Sequence, residues 1–283
     1  MTGETGATVL KIGGELLEEP DGRQDIATAI RRLAFRSPLV VVHGGGREVD
    51  AEMAAQGIPK RAVDGLRLTD AATLDIVVGV LAGRVNTRLV AAARVAGVPA
   101  VGLTAADAGV STVRRTAPYT AADGTVVDLG FVGQPTGTDR PKLLDRFCQA
   151  GLVPIVASIG ADDGGQLLNV NADTLAGHLA ARLGAARFLI AGSTAGVLDE
   201  QGQTIPSIDV DMLHQLIANG RASAGMVAKL IACREARRAG VERIDIVTGK
   251  HTDDLDTSPG TTLQQTAEDG ASVPPLPPGK GPG

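Results

Sequence analysis

The hydrophobic pattern along the chain alternates between two rhythms. Short apolar runs without period-two alternation recur at residues 8–12, 39–42, 98–103, 153–158, 187–191 and 244–247, as expected of parallel strands covered on both faces. Between them lie stretches with apolar residues at helical spacing: 25–35 (Ile26, Ala29, Ile30, Leu33), 47–56, 71 to about 93 (Leu74, Val77, Val78, Leu81, Val85, Leu89), 142–150, 174–183, 210–219 and 227–239. Strand, helix, strand order predicts an α/β fold with a mostly parallel sheet between helical layers. Residues 111–131 depart from the rhythm: alternating β-formers around Asp123-Gly124 predict a hairpin of the kind that lids a site. Residues 161–165 read as a polar turn before a strand at 167–170, 261–263 as an edge strand, and Thr69 or Asp70 as the cap of the helix from Ala71.

The strand ends carry the candidate chemistry. The run at 39–42 empties into His43 and the glycines Gly44, Gly45 and Gly46, the first strand into Gly13 and Gly14, and the strand at 187–191 into the small-residue loop Gly192, Ser193, Thr194, Ala195, Gly196. Glycines there let backbone N–H groups reach an anion, and the helix that follows favours negative charge at its start. The carboxyl edge of such a sheet is where ligands bind. Lys11 sits at that edge, and a cation at an apolar strand end is costly unless it meets an anion. Asn169, Asn171 and Asp173 alternate into the next helix and converge on the same opening, while Lys229 falls in the first turn of a helix behind the turn at 223–226. Arg67 can offer a bidentate fork to a carboxylate. Two glycine-rich strand ends, two lysines and one aspartate make a phosphoryl-transfer set, although neither GxxxxGK[ST] nor GxGxxG occurs.

Composition narrows the partners. The chain has 283 residues and a net charge of -5, which gives no basic footprint for nucleic acid, and no eighteen-residue apolar run is evident for a membrane. The two cysteines, Cys148 and Cys233, form no CxxC, and no signal peptide is visible, so a reduced, cytoplasmic protein is expected. The four histidines are scattered, leaving no metal-ligand cluster, and 2% aromatics give no stacking platform. From about residue 266 the Pro- and Gly-rich composition predicts a disordered tail.

Six motifs occur in a fixed order: LKIGG at 10–14, VVHGGG at 41–46, DGLRLTD at 64–70, LGFVGQP at 129–135, LLNVNAD at 167–173 and GMVAK at 225–229. Together they resemble the amino acid kinase family, and within it the acetylglutamate kinases. That resemblance implies an α/β/α sandwich with an N-terminal lobe for the amino-acid substrate (1–184), a C-terminal lobe for ATP (185–265) and the tail at 266–283. It implies transfer of the γ-phosphoryl of ATP to the side-chain carboxylate of N-acetyl-L-glutamate, with Mg²⁺ delivered on the nucleotide. Lys11 and Lys229 would neutralise the transferring group and Asp173 would hold both. Amides of Gly13, Gly14, Gly44 and Gly45 would meet phosphate oxygens, with Gly45 and Gly46 also lining the substrate. Arg67, Asn169 and Asn171 would bind the substrate. Ser193, Thr194, Gly196, Val197, Leu198, Ser223, Gly225 and Met226 would border the nucleotide.

The chain departs from the family where a Ser-Asp or Thr-Asp pair is usual and Gly192-Ser193 stands, and again in TAADAG after Leu103. With about seven residues before the first strand, too few for a hexamer-forming helix, the expectation is a homodimer insensitive to arginine. The alternatives are a kinase of an N-acyl or carrier-bound α-aminoadipate, and a nucleotide- or amino-acid-binding regulator without catalysis. GLRLTD favours the glutamate enzyme, and joint retention of Lys11, Asp173 and Lys229 speaks against a pure binder.

Overall fold

The computed structural model describes residues 6–121, 124–218 and 223–264. Asp123 of the expected hairpin turn and the expected tail lie outside the described residues. The chain begins with β1 (Thr8–Ile12), α1 (Pro20–Arg36), β2 (Leu39–His43), α2 (Gly46–Ala55), the short pair β3 (Ala62–Val63) and β4 (Leu66–Arg67), α3 (Ala71–Val78), α4 (Asn86–Val95) and β5 (Ala100–Thr104). It continues with β6 (Val113–Arg115), β7 (Tyr119–Thr120), β8 (Val126–Val127), β9 (Val132–Pro135), α5 (Lys142–Gln149), β10 (Val153–Ala157), β11 (Ile159–Ala161), β12 (Leu167–Val170) and α6 (Ala172–Leu183). The last elements are β13 (Arg187–Gly192), β14 (Ser207–Ile208), α7 (Val210–Ala218), α8 (Ala224–Arg238), β15 (Arg243–Thr248) and β16 (Gly260–Leu263).

An eight-stranded sheet in the order β14-β16-β15-β13-β1-β2-β10-β5 runs through the molecule, and β15, β13, β1, β2, β10 and β5 are parallel along it. The chain leaves β1 on one side through β2 and returns on the other through β13. That makes β1 the switch point, beside which the carboxyl ends of neighbouring strands part to leave a crevice.

The two faces of the sheet bury separate apolar clusters, as the unalternating strand sequences predict. Val9, Val40, Val42, Phe188 and Ile190 pack with Leu175, Leu179, Leu230 and Ala236 of α6 and α8. Leu10, Ile12, Val41 and Leu189 pack with Ile26 and Ile30 of α1, Val77 of α3 and Leu89 of α4. Each of the Val, Leu, Ile and Phe side chains contributes about 1.5–3 kcal/mol on burial. Since Lys11 is two residues from Val9, it points to the α6 side of the sheet.

Several expectations needed correction. The stretch at 111–131 is not one hairpin: β7 and β8 pair with each other, whereas β6 pairs with β9 in a second sheet, β11-β12-β9-β6. That sheet also takes in Ala161, the first residue of the expected turn, which pairs with Leu167, while residues 162–165 make the turn between β11 and β12. The 261–263 strand is not an edge. It lies between antiparallel β15 and parallel β14, and the two residues of β14 give too short a pattern to find in the sequence.

The helix from Ala71 is capped by Asp70, which accepts from Thr73 N at 2.9 Å, and its middle widens into π-type turns at Gly79–Val85. By length and composition alone Ala71–Val95 is apolar enough to cross a bilayer, contrary to the reading of the sequence. It packs against α1 and β5 and places Asn86 inside the protein, so it serves here as a core helix.

At the opposite sheet edge, buried Arg187 reaches Asp245 at 3.0 Å and also bonds Asp256, while Arg243 and Thr262 hold Asp245 at 2.9 Å each. Burial alone would raise the Asp256 carboxyl, but the Arg187 hydrogen bond and charge outweigh it and hold it below the usual carboxylate range. Removing the cation strands buried carboxylates. Arg187→Met should therefore cost about 3–5 kcal/mol in urea unfolding, and a loss below about 1 kcal/mol would show the network to be stabilisationally idle.

Candidate active site

A cleft of about 270 Å³ opens at the carboxyl ends of β1 and β2. Lys11, Gly14, Gly44, Gly45, Gly46, Arg67, Asn169, Asn171 and Asp173 all line it. The Lys11 ammonium stands 3.0 Å from Asp173 Oδ1, with side-chain exposures of 7% and 9%. That oxygen is buried and has no hydrogen-bond partner, so the contact is an ion pair without hydrogen-bond alignment. Asp173 lies in the first turn of α6, where the helix dipole favours a carboxylate.

The first turn of α6 is capped by Asn171, whose Oδ1 accepts from Asp173 N at 2.9 Å and Thr174 N at 3.0 Å. The cap of this helix is thus Asn171, which leaves the Asp173 carboxylate for Lys11. Asn169 is fixed differently, donating from Nδ2 to Thr69 Oγ1 at 3.2 Å. Arg67 is held at the cleft wall. It pairs with Asp50, donates to Gly46 O at 3.2 Å and touches Met53 Sδ at 3.0 Å. Burial would raise the Asp50 carboxyl, but hydrogen bonds from Lys60 and Arg67 bring it below its ordinary value.

The glycines divide by role. A Cβ on Gly14 would sit 2.5 Å from Gly45 Cα, and one on Gly45 would sit 2.8 Å from Leu81 Cδ2, so the two turns touch through these residues. Among the described residues no acceptor faces the amides of Gly14, Gly44 or Gly45, which remain available to an anion. The Gly13 amide is not: it donates to Ala191 O at 2.8 Å, because the β1–β13 ladder runs one residue past the strand. Gly46 already begins α2, and a Cβ there meets nothing.

The residues expected at the nucleotide lie outside the cleft lining, around the ends of β13 and α8. Lys229 donates to Gly225 O at 3.3 Å, and a Cβ on Gly192 would lie 3.7 Å from its Cε. Among the described residues the ion pair found for Asp173 is to Lys11, and none joins it to Lys229. Ser223 caps α8, accepting from Met226 N at 3.3 Å. Leu198 is exposed, but Val197 is buried in the core and gives its amide to Thr261 Oγ1 at 2.8 Å. Gly196 has φ +85 and is pressed against Thr261, so it supports this loop.

Two residues of the site were missed in the sequence. Glu15, in a 3-10 turn after Gly14, accepts from Ser193 N at 3.1 Å and so clasps the first glycine turn to the Gly192-Ser193 turn. Asn86 is buried beneath the cleft and donates to Ile155 O at 2.9 Å and to His43 Nε2 at 3.0 Å. A polar residue on an otherwise apolar helix face was its one visible signal. With Nε2 accepting, His43 carries its proton on Nδ1 and donates it to Gly44 O at 3.0 Å, fixing the start of the glycine turn. Gly102 leaves the space that Asn86 fills, since a Cβ there would lie 2.2 Å from Asn86 Oδ1.

Burial lowers the His43 pKa to about 4, and burial with the nearby Arg182 charge lowers His178 to about 4. Between pH 6.5 and 4 the unfolded chain then binds protons that the folded chain refuses. Stability should fall with pH through that window, by up to about 1.4 kcal/mol per pH unit for each histidine. Thermal melting across the window measures the slope, and His43→Gln should make it shallower.

Known proteins are similar to this chain over most of its length. An acetylglutamate kinase of Novosphingobium aromaticivorans is 39% identical over 252 residues, covering 86% of this chain and 83% of that protein. One of Gluconacetobacter diazotrophicus is 41% identical over 225 residues, covering 78% and 71%. The crystal structure of N-acetylglutamate synthase from Neisseria gonorrhoeae, complexed with coenzyme A and N-acetyl-glutamate, matches 93% of this chain with a TM-score of 0.78 at 25% identity. This chain spans 60% of that longer one. Residues 6–248 match the model of the amino acid kinase family, and with relatives this similar over most of its length the chain belongs to that family.

Proposed function

We propose that the chain transfers the γ-phosphoryl group of ATP to the side-chain carboxylate of N-acetyl-L-glutamate, giving N-acetyl-L-glutamyl 5-phosphate and ADP in arginine biosynthesis. The observation that carries this reading is the buried Lys11–Asp173 pair in a cleft between two touching glycine turns, in a chain about 40% identical to proteins named acetylglutamate kinase. The substrate carboxylate is itself the nucleophile: one of its oxygens bonds to the γ-phosphorus as the bond to the ADP oxygen breaks. No covalent enzyme intermediate is needed. The protein's work is to position the reactants and to neutralise charge on the transferring group.

In this reading Lys11 approaches that group from the cleft side and Lys229 from the α8 side. Asp173 keeps the Lys11 ammonium in place. The amides of Gly14, Gly44 and Gly45 receive phosphate oxygens. Arg67, preoriented by Asp50, meets the substrate α-carboxylate, and Asn169 its amide. Residues 1–184 supply the amino-acid side, and 185–265, with Ser193, Thr194 and Met226, supply the nucleotide side. No group of three metal-ligating side chains exists among the described residues, so Mg²⁺ is expected to arrive on ATP and keep mostly phosphate and water ligands. Carboxylates of Asp173 and Glu15 on the cleft wall are hard oxygen donors, and they fit an ion carried there.

A homodimer in the cytoplasm completes the proposal; both cysteines are free thiols, as suits a reducing compartment. Light scattering that gave a monomer or hexamer would remove the dimer.

Purified protein with Mg-ATP and N-acetyl-L-glutamate should yield an acyl phosphate that hydroxylamine traps, whereas N-acetyl-aminoadipate and free glutamate should give little. Signal with aminoadipate instead, or ATP binding without product from any of the three, would replace this reading. Lys229→Ala should lower kcat by roughly 10²–10³-fold with a small change in KM, because its charge matters most in the transition state. An unchanged kcat would remove the residue from the mechanism.

A further inference from the structure

Glu15 is a carboxylate where phosphates are expected. Its Oε1 accepts from Ser193 N at 3.1 Å, the amide at the end of β13. Both carboxylate oxygens lie over Gly13, since a Cβ there would be 2.5 and 2.6 Å from them. A Cβ on Gly192 would be 3.6 Å from Oε1 and 3.7 Å from Lys229 Cε, so the acid and the lysine stem flank the same glycine. Glu15 also lines the cleft with Lys11 and Asp173.

An anion built into a site for a polyanion has a definite electrostatic consequence. Metal-free nucleotide brings several negative charges next to a carboxylate, and like charges juxtaposed in a partly desolvated site are strongly disfavoured. A divalent cation carried on the phosphates reverses the sign of that interaction, because a carboxylate oxygen is a ligand of the type Mg²⁺ takes, directly or through one of its waters. We infer that Glu15 makes the phosphate site selective for magnesium-bound over metal-free nucleotide. The inference rests on the nucleotide reading of the site given above and adds a residue that discriminates between the two forms of that ligand.

The test is equilibrium binding of ADP to the full chain by calorimetry, in excess Mg²⁺ and in EDTA, for wild type, Glu15→Gln and Glu15→Ala. The Gln side chain keeps an oxygen for the Ser193 amide and removes only the charge. The ratio of the two affinities should favour Mg-ADP by at least about tenfold in the wild type. It should fall several-fold in both variants, chiefly because metal-free ADP binds more tightly. Melting without nucleotide checks that each variant is folded. A ratio unmoved by either substitution, or affinities for both forms that weaken together as expected of a purely structural clasp, would overturn the role of Glu15 while leaving the nucleotide reading intact. Wild-type protein that binds neither form of ADP would overturn both.

Discussion

The ion pair between Lys11 and Asp173 is the constraint around which the site is built. Burying two charges costs several kcal/mol of desolvation each, and such a pair is often no more stabilising than apolar residues of the same volume. The fold accommodates it at the switch point of the sheet. β1 brings the lysine into the central strand, and α6 brings the aspartate down onto the same face. The aspartate stands at a helix start, and the cap that sets its position comes from Asn171. A pair so placed presents an ammonium to the cleft with its orientation already fixed, which is what stabilisation of a transferring phosphoryl group requires.

Around that pair, the shape of the cleft depends on close approach. Gly14 and Gly45 meet with no room for a Cβ, so the turns after β1 and β2 form one continuous surface, and the amides of Gly14, Gly44 and Gly45 have no partner among the described residues. The second turn is anchored from beneath by a relay in which buried Asn86 and His43 reach Gly44 O at the cleft. The π-type turns at Gly79–Val85 carry Leu81 and Val85 against Gly45, and Asn86 follows directly after them. On the far side Glu15 joins the β1 turn to the β13 turn. The ends of β1, β2 and β13 are thus tied by one glycine contact and one carboxylate, and one buried amide ties β2 to β10.

Much of this was legible in the chain itself. Unalternating apolar runs ending in glycines, separated by helical periods, are sufficient to give a parallel sheet with ligands at its carboxyl edge. The positions of Lys11, Arg67, Asn169 and Asp173 at or beside element ends were readable by the same rule, because backbone geometry fixes which way a residue at a strand end faces. The order of six short motifs gave the family, which periodicity alone could not.

Tertiary structure decided what depends on partners distant in sequence. That Gly13 spends its amide on Ala191, that Asn171 is a cap, and that Val197 faces the core follow from strand register and loop packing, which no local pattern encodes. Glu15 reads in the sequence as an ordinary charged residue after a turn, and it gains a role only when β13, 178 positions away, brings Ser193 to it. β16 reads as an edge until β14 pairs beside it. The sequence by itself determined the elements and the chemistry available at their ends, because these follow from local periodicity and residue type. Which groups meet, and which amides stay free for an anion, was decided by the packing of elements far apart in the chain.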